Sequence, residues 1–237
     1  MRVIIDGGDA RGFGLLTVLV WLSLLATAAL GVALATASEP LATGALHERL
    51  RLVRAAESAV ALAMSSLSPH ADWSTAPSGG LPLPFADGPA GVRFVMGVPF
   101  DLLGETSRRT CGRPSACDDT ATEVAAPERP WATRNPRWRL VVHLPLADLD
   151  ATAARICPCY LVAWVADDPG DDDGDPRRDA PAGVAGHGVL IVRGAAVGSE
   201  GAVAEVEALV EQPCRQSSVQ CAGIRVQSWG VVRDGVP

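Results

Sequence analysis

Residues 13–38, FGLLTVLVWLSLLATAALGVALATAS, decide how the rest of the chain is read. No charge occurs between Arg11 and Glu39. These 26 residues make roughly 39 Å of helix at about 1.5 Å per residue, enough to cross a bilayer core with some tilt. A charge-free helix satisfies its own backbone groups, which lipid cannot do. Phe13 to Ala37 therefore reads as a membrane helix. A fully buried soluble helix is the plainer alternative, but so long an apolar run is unusual in a domain of this size.

The composition agrees with that reading. The chain has 237 residues, 48% of them hydrophobic, and a net charge of -7. That balance disfavours nucleic acid as a partner, because phosphate binding needs a positive surface that displaces counterions. All 20 basic residues are Arg. Six Cys in an acidic, anchored protein point to an oxidising compartment, where disulfides persist. A cleaved secretory signal is the main rival for the apolar run, since Ala35-Thr36-Ala37 has the A-x-A shape that signal peptidase reads. The run is much longer than the roughly 7–15 residues of a signal core. No Cys follows it closely enough to suggest a lipoprotein.

The flank adds a resemblance. Arg11-Gly12-Phe13 follows a short polar leader, MRVIIDGGDA, and opens the apolar run. This arrangement resembles a type IV prepilin. The resemblance implies that a membrane peptidase cuts after Gly12 and that Phe13 becomes the mature N-terminus. In the leader, Arg2 and Arg11 are offset by Asp6 and Asp9, so the positive-inside signal is weak. Most pilins carry Glu at the fifth mature position, where it can pair with a neighbouring subunit's terminal amine; here that position is Thr17. An unpaired Glu in lipid is costly, and a subunit with no neighbour above it does not need one. In this respect RGFGLLTVLVWLSLL resembles PilX-like minor pilins and the GspK-like tip pseudopilin of type II secretion. The latter usually carries a sizeable inserted helical domain, for which the Gly-, Pro- and acid-rich segments leave little room. The PilX-like resemblance is therefore preferred.

Pro40 is expected to kink the helix without ending it. Beyond it, Leu46, Leu50, Val53, Val60, Met64 and Leu67 fall at alternating steps of four and three, with Glu57 in the remaining position. This stripe predicts packing on a sheet. RAAESAVALA, residues 54–63, resembles a stretch of PilX-like pilins. Glu57 has two readings: a local pair with Arg54 or Arg51, which is favoured, or an assembly contact with an adjacent subunit.

Ser68 to Gly91 is rich in Pro and Gly and is expected to be a loop. Strands are expected at 92–98, 138–144, 160–166 and 189–193. Residues 202–211 and 223–232 alternate with period two and should be antiparallel neighbours joined by QPCRQSSVQC. The expected class is α+β, a long N-terminal membrane helix packed on an antiparallel sheet, as in pilins. The parts are a leader at 1–12, a helix at 13–67 with its transmembrane half at 13–37, and a sheet domain at 68–237. The order YLVAWVADDPGDDDGDP, GVLIVRG and terminal hairpin also resembles PilX-like pilins.

Cys111 with Cys117, and Cys214 with Cys221, could each close a small loop. Cys157 and Cys159 form CPC; alternate strand positions face opposite ways, so these two are expected to pair elsewhere. Zinc is disfavoured by the absence of CxxC spacing. Asp171, Asp173, Asp175 and Asp179 give D-x-D-x-D-x-x-x-D, whose carboxylates could converge on one Ca²⁺. The alternative is a solvated acidic loop. The histidines, His47, His70, His143 and His187, form no recognisable catalytic motif, and an enzyme is not expected.

The function expected from the resemblance is a minor pilin-like structural subunit at the tip or in the priming of a filament. Its partners would be other pilins or pseudopilins, the prepilin peptidase and the inner membrane, with the globular part in the periplasm before assembly on the cell surface. A tip pseudopilin of type II secretion is the near alternative. The alternatives of another class are a secreted or periplasmic binding protein, whose mature chain would begin at Ser38, and a membrane-anchored sensor or scaffold, which would keep Met1.

Overall fold

The computed structural model describes residues 10–70, 72–81, 84–118, 121, 136–168, 188–212 and 223–232; for 10–13 and 32–43 only the helix backbone is described. The chain divides into two units, Met1–Glu48 and Arg49–Pro237. One helix, α1, runs Ala10–Leu67 and continues through Pro40.

Within the first unit, Gly14–Gly31 is long and apolar enough to cross a membrane, with a mean hydropathy of 2.0 and none of it buried. Two of its hydroxyls bond back to the helix itself. Ser23 donates to the Val20 carbonyl at 2.8 Å, and Thr27 to those of Ser23 and Leu24 at 3.0 and 2.9 Å. A polar side chain that bonds back to its own helix leaves lipid no unmet donor.

The second unit is a sheet covered on both faces. Its strands are β1 (Phe85–Ala86), β4 (Arg139–Pro145), β5 (Tyr160–Asp167), β6 (Val189–Val197), β7 (Val203–Glu211) and β8 (Arg225–Val232), adjacent in that order. β1 runs parallel to β4, and every other pairing is antiparallel. A separate hairpin comprises β2 (Val92–Val95) and β3 (Val98–Asp101). Two short helices complete the unit, α2 (Leu102–Cys111) and α3 (Ala151–Ile156). The class is α+β, with a mostly antiparallel mixed sheet.

Residues 49–67 of α1 cover one face. The residues they bury are Leu52, Ala55, Ala56, Ala59, Val60, Ala63 and Leu67. This corrects the expected stripe: Leu46 and Leu50 are more than half exposed, and Val53 and Met64 only half-buried. The reason is steric. A Cβ at Gly194 of β6 would lie 2.5 Å from the Ala56 carbonyl and 2.9 Å from the Val60 amide. The helix backbone therefore rests directly on β6, and only small side chains fit between them. Bulk takes the flanks of the contact instead of its centre.

The hairpin and α2 cover the other face, where Val95, Leu102, Trp138, Leu140, Tyr160, Val162, Trp164 and Ile191 share a second core. With both faces covered, all eight residues of β5 are buried, and its sequence reads as a continuous apolar run, as expected for a doubly covered strand. β7 alternates between half-buried and buried side chains, matching its period-two sequence.

Two further expectations change, and one element was not anticipated. The loop over 68–91 contains β1. The strand expected at 92–98 is the start of a hairpin, turning at Met96 and Gly97 with φ of 50° and 85°, the two left-handed positions of a tight turn. Residues 102–111 form α2, capped by the Asp101 carboxylate on the Leu103 amide and ended by Gly112 at φ 72°. Asp101 and Gly112 were readable start and stop signals.

Candidate functional site

The expected site residues divide into three groups. Asp171, Asp173, Asp175, Asp179, Cys214, Cys221 and His187 lie outside the described residues. Gly12 and Phe13 lie on the α1 backbone, with no side-chain description. Thr17 lies on the exposed apolar span Gly14–Gly31. Among the described residues, no group of three or more His, Cys, Asp or Glu is placed to hold a metal ion.

Glu57 is paired locally, its carboxylate accepting from Arg54 at 2.9 Å one turn away. Its side chain is 28% exposed and that of Arg54 81%, so the pair is worth only a few tenths of a kcal/mol (about 0.3).

Cys111 and Cys117 are bonded, with Cα atoms 5.9 Å apart, and tie the end of α2 to the segment that follows. Cys157 and Cys159 are bonded to each other, with Cα atoms 5.2 Å apart. This differs from the expectation that they pair elsewhere. That expectation assumed strand alternation, but CPC is not strand: Cys157 ends α3, and β5 begins only at Tyr160.

The charged clusters of the second unit were not legible in the sequence. In the first, the Asp87 carboxylate sits just after β1. Arg93 of β2 donates to it through Nε and Nη2, the latter at 2.8 Å, and the Tyr160 hydroxyl donates at 2.9 Å. Nδ1 of His143 lies 3.1 Å away; facing a carboxylate, that nitrogen carries the proton. Burial works against the charge of Asp87, but the bonds from Arg93, Tyr160 and His143 outweigh it and hold the carboxyl below its ordinary 3.8. Burial, followed by the bond to Asp87, pushes the Tyr160 phenol up. His143 is only 2% exposed. The cluster therefore joins the hairpin (Arg93) to two sheet strands (His143 and Tyr160) through one carboxylate, and its imidazole is closed off from solvent.

In the second cluster, Arg109 of α2 bonds Glu105 at 3.0 Å, reaches Glu205 of β7, and lies 3.8 Å over the Trp164 ring. Arg193 of β6 bonds Glu207 at 3.0 Å and lies over Trp138. The Trp164 indole donates to the Thr106 hydroxyl at 2.8 Å. Flat guanidinium groups both stack on rings and fork to carboxylates, so Arg109 and Trp164 pin α2 to the sheet, while Arg193 ties β6 to β7 beneath the Trp138 ring. Both clusters are positioning devices for the layers that cover this face.

No family model, curated protein or solved structure matches this chain.

Proposed function

We propose that the chain is a pilin-like structural subunit, anchored through α1 and placed at the tip or in the priming of a filament. One observation carries this reading. A single helix, Ala10–Leu67, contains both an exposed apolar span and an alanine-rich segment seated on a mostly antiparallel sheet. The residues at its start support the finer reading: Arg11-Gly12-Phe13 resembles a prepilin cleavage junction, and Thr17 replaces the Glu expected of a shaft subunit. The second unit then supplies a rigid surface stiffened by disulfides and two charge clusters, which suits a subunit that works outside the cytoplasm. Its partners are other pilins or pseudopilins and the prepilin peptidase. The inner membrane holds it before assembly, with the second unit in the periplasm. A role as the tip pseudopilin of a type II secretion system is the variant closest to this reading.

Co-expression with a prepilin peptidase tests the proposal. A peptidase-dependent shortening of the chain, blocked by Gly12→Leu, is expected. A chain shortened without the peptidase, to a soluble product starting at Ser38, would instead identify a secreted protein with a cleaved signal.

A further inference from the structure

Arg139 is the first residue of β4 and stands opposite Val165 of β5. Directly opposed residues share a face, and Val165 belongs to the core under α1. Arg139 is half-buried, like Arg93, Arg109 and Arg193. Each of those three bonds a carboxylate. Arg139 has no hydrogen bond or ion pair among the described residues. Its guanidinium packs instead on Gly79, at φ 96°, where a Cβ would collide with Nη1 and Cζ. Only Gly suits that position, so the main chain fixes the group while its N–H donors have no acceptor. The same guanidinium lines an open pocket whose walls include Leu67, Leu81, Val141 and Val165. The other polar side chain there, Ser66, donates its hydroxyl to the Leu62 carbonyl at 2.9 Å. The Leu67 carbonyl already accepts from the His70 amide and the Trp73 indole, each at 3.0 Å. Among the described residues no carboxylate lines the pocket.

We propose that this pocket binds a short aliphatic carboxylate, with Arg139 as its anchor. The charge sets the sign of the ligand: a half-buried cation with idle donors is satisfied by an anion. The shape sets its head group, because a planar carboxylate matches the guanidinium fork. The walls set the rest. Phosphate or sulfate would turn bare oxygens toward Leu67, Leu81 and Val165, whereas an aliphatic tail buries apolar surface there. The last turn of α1, which ends at Leu67, carries the negative end of the helix dipole, so Arg139 is held at the pocket before any ligand arrives. A site fixed in advance spends little of its binding energy on ordering. A free acid and the terminal carboxylate of a polypeptide present the same chemistry, and the test separates them. The inference is independent of cleavage after Gly12 and of filament assembly.

The test follows thermal unfolding of the full chain in detergent micelles by tryptophan fluorescence, with sodium butyrate as the probe. Butyrate in tenfold excess over its Kd is expected to raise the midpoint by roughly 3–5 °C. Butyramide, which has the same shape without the charge, and sodium chloride at equal ionic strength are expected to leave it unchanged. Arg139→Gln should lose the response, and Arg139→Lys should keep part of it. No response to butyrate, an equal response to butyramide or chloride, or a full response in Arg139→Gln overturns the proposal. If Arg139→Gln does not fold, the comparison of butyrate with butyramide on the wild type decides alone. A peptide ending in Ala-Val that acts at lower concentration than butyrate, and fails when amidated, supports the site with a chain terminus as its ligand. Butyrate acting at the lower concentration supports it with a free acid.

Discussion

The two faces of the sheet are built on different physics. The α1 face is fitted by shape: Ala55, Ala56, Ala59 and Ala63 lie on strands close enough that Gly194 cannot carry a side chain. The opposite face combines large rings with charge: Trp138, Trp164 and Tyr160 pack beside Arg109, Arg193, Glu205 and Asp87. The first arrangement tolerates no added atoms and is indifferent to pH. The second tolerates changes of shape better but depends on every charge keeping its partner.

The sharpest test of this contrast is Gly194→Val. It drives a branched side chain into the Ala56 carbonyl and the Val60 amide, and should cost about 3 kcal/mol, the upper part of the usual range for overpacking. Tryptophan-detected unfolding should show a loss that is the same at pH 5 and pH 8. A loss that varies with pH would mean the α1 face is not governed by shape.

Next is Arg109→Met, which keeps an apolar stem over Trp164 but removes the bonds to Glu105 and Glu205. The expected loss is about 2 kcal/mol, in the range for hydrogen bonds to charged groups. Glu205→Gln made in the same background should add less than it does alone, because the two residues share one interaction. Full additivity would show that the pair is not coupled.

Asp87→Asn addresses the acid limb. The folded-state carboxyl lies below its ordinary 3.8, so the unfolded chain takes up the proton first as pH falls. The stabilisation is therefore complete above 3.8 and is lost progressively below it. The wild type should lose stability through that window, and Asp87→Asn should lack that part of the loss. Equal acid sensitivity in both proteins would remove Asp87 from the account.

The smallest effect belongs to Glu57→Gln, which breaks only the exposed local pair with Arg54 and should cost about 0.3 kcal/mol. If this variant folds normally but fails to assemble with partner pilins, Glu57 has an intermolecular role beyond the local pair.

The same contrast explains what the sequence made legible. The apolar span, the alternating strand β7 and its antiparallel neighbour β8 are local patterns, set by period and charge along a few residues. The α1 face was read from its bulky residues, yet it is Gly194, far away in sequence, that selects the alanines. The Asp87 cluster joins residues 87, 93, 143 and 160, and Arg109 meets Glu205 across 96 positions. No local spacing encodes such meetings; they follow only from strand order. Asp101 and Gly112, by contrast, were local signals for α2 and could have been read.

The Arg11-Gly12-Phe13 junction is where the account is most directly exposed. The decisive measurement is the N-terminal residue of the mature protein, purified from membranes of cells that contain the prepilin peptidase. A pilin-like subunit predicts Phe13. Retention of Met1, or a chain beginning at Ser38, would contradict it.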